Sequence, residues 1–178
     1  MIINKRISAA FIVGFLMISC GNDAETDDII ENNDIVEGNY TPADFNNDLM
    51  TMLEGSIALV DDVFTSDSSD ISESKENLLF ELSIYKSRIK EIEFEEGGDA
   101  FKNSVANLLD FYEDQFANKF APVETILLKG DWTDEEDQVL VDFDNSFADE
   151  EGILITNVER EQLAFSEAYS IQLVDRTF

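Results

Sequence analysis

The chain has no histidine and a single cysteine, Cys20, in 178 residues. Without histidine there can be no Ser-His-Asp or Cys-His catalytic set and no histidine-ligated haem or zinc. A ferritin-like di-iron site, which takes a Glu-x-x-His pair from each of two helices, is excluded on the same ground. One cysteine cannot form a disulfide within the chain, so stability must come from packing. Bases are scarce, 11 against 40 acids, for a net charge of −29. Such a surface repels nucleic acid and anionic lipid headgroups, and no nucleic-acid partner is expected. The apolar run from Ile7 to Ile18 spans 12 residues, too few to cross a hydrocarbon core of ~30 Å as a helix. No segment shows convincing strand alternation, and no internal repeat is visible.

What is present begins with that run. Lys5 and Arg6 precede it, and Leu16-Met17-Ile18-Ser19-Cys20 closes it. A basic segment, an apolar segment and a small residue before a cysteine follow the grammar of a cleaved export signal. These 20 residues resemble the lipobox of bacterial lipoprotein precursors. They depart from it in carrying Met17 three places before the cysteine, where leucine is usual. The resemblance implies cleavage before Cys20, a diacylglycerol thioether on its sulfur and acylation of the new α-amino group. The alternatives are a plain secretory signal with an incidental cysteine, or a membrane-spanning anchor. Removing residues 1–19 takes away Lys5 and Arg6 and no acid, leaving 9 bases against 40 acids, net −31.

Residues 21–39, GNDAETDDIIENNDIVEGN, hold seven acids, no base and no aromatic. That composition reads as a disordered spacer. The acids close behind the cysteine, Asp23, Glu25, Asp27 and Asp28, are similar to the acidic export signal of surface-exposed lipoproteins in Bacteroidota-type bacteria. A merely solvated tether is the other reading. The chain thus divides into a signal peptide (1–19), a lipidated cysteine with an acidic tether (20–39) and a folded domain (40–178).

Within 40–178 the apolar spacing is helical throughout. Thr41-Pro42-Ala43-Asp44 opens a first helix with a capping-box pattern and a proline at the first position. Its stripe is Phe45, Leu49, Met52, Leu53, Ile57, Val60, Val63 and Phe64. A second helix over 71–92 carries Leu78, Leu82, Tyr85, Ile89 and Ile92, with Lys75, Lys86, Arg88 and Lys90 making it the least acidic; it should pair with an acidic neighbour. Gly97 and Gly98 break the pattern. Asp99 caps a third helix striped by Phe101, Val105, Leu108, Leu109, Tyr112, Phe116, Phe120, Val123 and Leu127. Pro122 removes one backbone bond and clashes one turn back, predicting a kink near Asn118. Thr133 and Glu136 form a second capping box. The fourth stripe, Leu140, Phe143, Phe147, Leu154, Val158, Phe165, Tyr169 and Leu173, is longer than its partners. Gly152 in its middle predicts a bend or a break.

The expected fold is all-α, a four-helix up-down-up-down bundle with a kinked third helix and a long fourth. Phe111-Tyr112, Thr133-x-x-Glu136 and Phe165-x-x-Ala168-Tyr169-Ser170-Ile171-Gln172-Leu173 resemble an uncharacterised family of helical bacterial surface lipoproteins. That resemblance implies a location and a fold, and no activity.

Candidate sites are few. Asp142-Phe143-Asp144-Asn145-Ser146 starts like a calcium loop, but Phe147 stands where the loop glycine belongs and Ile153 where the bidentate acid belongs. Two acidic corners, Glu91 to Asp99 and Asp131 to Asp137, read as solvated turns. Paired carboxylates for glycoside hydrolysis need a cleft that fixes their separation, and acids on the outer face of a bundle supply none. Tyr112, Phe116 and Tyr169, with Tyr85, Phe120 and Trp132, are either core rings or the lining of a ligand cavity. The resulting expectation is a non-catalytic surface lipoprotein without cofactor or metal. It is held at the outer membrane through Cys20 and acts on an envelope protein or glycan. The alternative is a periplasm-facing carrier or sensor that binds a small ligand or cation in the bundle.

Overall fold

Four apolar stripes at helical spacing fold into helices that bury those stripes on one another. The structure, a computed structural model, describes residues 17–19, 40–94 and 97–176. Among these the architecture is all-α, with five helices: α1 Pro42–Thr65, α2 Ile71–Glu91, α3 Asp99–Asp114, α4 Ala121–Leu127 and α5 Asp134–Tyr169. A π-turn, Gln115–Lys119, joins α3 to α4. Outside the helices, β1 (Met17–Ser19) pairs antiparallel with β2 (Val174–Arg176), Ile18 opposite Asp175. The sequence pattern gave no sign of this ladder. The tether and the acids Glu95 and Glu96 lie outside the described residues.

Both capping boxes form. Thr41 Oγ1 accepts from the Asp44 N–H while the Asp44 carboxylate accepts from the Thr41 N–H, and Thr133 and Glu136 repeat the arrangement. Each satisfies two orphan donors at a helix start. The expected cap at Asp99 shifts by one residue. Gly98 occupies the cap position without a side-chain bond, and Asp99 sits in the first turn. Gly98 is needed for another reason, because a Cβ there would meet the Phe45 ring at 2.7 Å. Gly97 adopts φ +74°, open to glycine at no steric cost.

The third segment differs from expectation in how it accommodates Pro122. In place of one kinked helix there are three consecutive pieces. Proline lacks the N–H that would bond the Asn118 carbonyl, and its ring crowds that carbonyl. The chain widens ahead of it: the Phe120 N–H bonds the Gln115 carbonyl, five residues back, at 2.8 Å. α4 then restarts with Pro122 in its first turn, where no partner is needed. The fourth stripe also departs from expectation, since α5 runs unbroken through Gly152 for 36 residues, ~54 Å at 1.5 Å per residue. Nothing lies within 4 Å of where a Gly152 Cβ would be, so this glycine serves neither a close approach nor a turn.

The core is aromatic at both ends. Phe45, at the start of α1, packs on Phe165, near the end of α5, with centroids 5.0 Å apart, and on Phe94 and Phe101. Phe64, at the end of α1, meets Phe116, Phe120, Phe143 and Phe147. α2 does pair with acidic neighbours. Lys75 bonds Glu124 on α4, and Lys86 bonds Asp110 and Glu113 on α3. Burial pushes the Glu124 carboxyl up, but the bonds from Lys75 and Ser72 outweigh it and leave the group below its ordinary range.

Candidate functional site

The buried face of α5 is made by Leu140, Phe147, Glu151, Ile155, Val158, Gln162, Phe165 and Ser166. Three of these eight are polar: Ser166 donates back to the Leu163 carbonyl, and Glu151 and Gln162 each find a polar partner across the core. Tyr112 of α3, 0 % exposed, donates its phenol to Glu151 Oε1 at 2.6 Å, and Glu151 is 3 % exposed. Burial pushes the Glu151 carboxyl above its ordinary value, and the bond from Tyr112 pulls it partly back. Burial also drives the Tyr112 phenol well up, and the Glu151 charge and bond push the same way. Rings stand close around the pair: Phe147 lies 6.1 Å from the Tyr112 ring and Phe111 5.7 Å. The second pair is Gln162 Nε2 donating to Asn46 Oδ1 of α1 at 3.0 Å. Among the described residues the Asn46 Nδ2 has no partner, though Asn46 is 0 % exposed. Leaving such a donor unmet costs ~1–3 kcal/mol, or a water satisfies it.

The proposed cavity residues do not share one space. Tyr112 and Phe116 both pack on Phe147, in the half of α5 nearer its start. Tyr169 lies eighteen residues beyond Glu151 on the same helix, ~27 Å further along. It packs on Phe94 and Phe165. Phe120 is buried with Phe116. Tyr85 sits half-buried beside Gly55, and Trp132, also half-buried, donates to Asp137 at 3.1 Å. Asp142 and Asp144 belong to continuous helix, not to a loop that converges carboxylates. Burial raises the Asp144 carboxyl. In the second acidic corner Glu136 is engaged by its cap and by Lys129, and Asp137 by Trp132. Among the described residues no group of three or more Cys, Asp or Glu side chains gathers as a metal ion requires.

Surface grooves include two among the described residues. One, of about 400 Å³, is lined by Tyr40, Asp48, Arg88, Glu91, Ile92 and Glu93. Tyr40 donates to Asp48 at 2.8 Å there. Burial raises the Tyr40 phenol, the Asp48 bond and charge add to this, and Arg88 opposes it. The other, of about 590 Å³, runs beside the end of α5 between Leu163 and Leu173.

Asn46, Glu151 and Gln162 were not visible as core residues, because stripes are read from apolar side chains. A trace was there. The fourth stripe has gaps of seven between Phe147 and Leu154 and between Val158 and Phe165, and a polar residue fills each gap at the next helical step. No protein-family model, curated protein or solved structure matches this chain.

Proposed function

We propose that the chain is a bacterial lipoprotein precursor. Its mature part, from Cys20, is an acidic helical body tethered to the outer membrane by lipid and acting as a non-catalytic interaction module at the cell surface. The observation that carries this reading is the N-terminal segment itself: Lys5-Arg6, the apolar run and Ser19 before the chain's one cysteine. No described helix is long and apolar enough to cross a membrane, so attachment through a lipid suits the body. We further read the body as an up-down-up-down bundle of four helical columns, the third being α3, the π-turn and α4 together. Support comes from contacts that fit antiparallel columns: Phe45 at the start of the first with Phe165 near the end of the fourth, Phe64 at the end of the first with Phe147 in the first half of the fourth, and Lys75 near the start of the second with Glu124 near the end of the third. An interaction role is supported by Phe80, 62 % exposed, and Ile84 one turn on, apolar side chains that the body leaves uncovered on α2. Cleavage before Cys20 would also remove β1 and leave β2 without its partner strand.

The test is Cys20→Ala expressed in a lipoprotein-processing bacterium. Wild type should enter the membrane fraction and take up labelled fatty acid, and the variant should do neither, because no other thiol can form the thioether. Unchanged fractionation and labelling in the variant would refute the anchor. Protease added to intact cells should cut the wild-type body; protection until the outer membrane is breached would place it facing the periplasm.

A further inference from the structure

We propose that Tyr112 and Glu151 form a proton-operated clasp: neutral, it holds the π-turn region of the chain against the middle of α5, and ionised, it loosens that seam. The geometry places a carboxyl inside an aromatic core, where it accepts from the Tyr112 phenol at 2.6 Å. No cation faces it. From the π-turn, Lys119 is committed to Asp114 and feels Glu150 rather than Glu151. On α5 itself Asp149 and Glu150 are exposed, and Asp144 lies two turns earlier. On α3, Glu113 is bonded to Lys86, and on α1 the half-buried acids are Asp48, bonded to Tyr40, and Glu54. Of all these groups, Tyr112 is the one whose bond bears on the Glu151 carboxyl. A buried carboxylate with one neutral donor and no counter-ion is costly, and the structure relieves it by taking up a proton or by admitting water.

The surroundings let water enter locally. Tyr112 stands three residues before the π-turn, where the helix has given up its regular bonding for a five-residue step. Glu151 stands beside Gly152, whose outer side is open. The clasp therefore joins the turn of helix just ahead of the π-turn to a point of α5 that its glycine leaves uncovered. The sign follows from burial. A carboxyl held above its ordinary value in the folded state favours folding fully below that ordinary value, and the contribution is lost as pH rises through the raised one. Closure belongs to low pH, and loosening follows as pH rises through the raised value. Repulsion among surface acids also grows with pH, so the test must separate the two.

Amide hydrogen exchange on the full-length protein from pH 5 to 8, corrected for intrinsic rates, does so. In wild type, protection over 112–120 and 148–155 should fall by at least ~5-fold as pH rises, more than in α2. Glu151→Gln keeps a neutral acceptor for the phenol and leaves every surface charge in place, so its protection at the same amides should change with pH no more than α2 does. Tyr112→Phe keeps the ring and removes the donor to the carboxylate, so the wild-type fall should move to higher pH. The Tyr112→Phe comparison stands alone if the glutamine variant fails to fold. A flat wild-type profile, an equal fall in Glu151→Gln, or an unmoved or lowered midpoint in Tyr112→Phe would overturn the clasp.

Discussion

At the scale of the residue, Phe116 reports on the core most simply. It is 2 % exposed and lies within 6 Å, centroid to centroid, of Phe64, Phe120 and Phe147. Phe116→Ala should lower stability by roughly 3–5 kcal/mol, the range for deleting a buried aromatic ring with partial collapse of the space. Chemical denaturation measures it. A midpoint within error of wild type would put Phe116 at the surface and change the register of the π-turn. Apolar residues of this kind were legible from spacing alone: Phe45, Leu49, Met52, Leu53, Leu78, Leu82, Val105, Leu108 and Phe147 are all buried. The expected Leu154 is only partly buried against the core, and Ile155 beside it is buried. Asn46, Glu151 and Gln162 were not legible. A polar side chain enters a core only where a partner meets it, and Tyr112 and Glu151 are 39 residues apart in sequence.

At the scale of the element, helix starts were legible and the interior irregularities were not. A capping box is a local device whose bonds lie within four residues, so Thr41–Asp44 and Thr133–Glu136 could be read directly. Pro122 announced a disturbance, but whether the chain kinks, stops or widens depends on which rings must stay in the core. The π-turn lets Phe116 and Phe120 both stay buried. Gly152 misled in the other direction. Glycine weakens a helix without ending it, and packing on α3 holds α5 together across that point. Gly152→Ala should therefore stabilise the protein by about 0.5–1 kcal/mol, since the added methyl meets nothing and the unfolded chain loses freedom. Thermal and denaturant melts read the gain. A loss of stability would show that α5 bends there in solution.

At the scale of the whole molecule, charge and attachment belong together. Five of the 11 bases, Lys75, Lys86, Lys119, Lys129 and Arg160, are placed in ion pairs. Pairs that are exposed contribute little to stability, ~0–1 kcal/mol each. Like charges repel, so an acid excess of this size gives the body no electrostatic attraction to an anionic membrane, and the proposed attachment needs something else to hold it there. On the present account that is the lipid on Cys20, and the most direct measurement is the mass of the N-terminal peptide of the protein extracted from membranes. The account predicts a chain that begins at Cys20 and carries a diacylglyceryl group on sulfur and an acyl group on the α-amine. A chain that begins elsewhere, or an unmodified Cys20 in membrane-extracted protein, would contradict it.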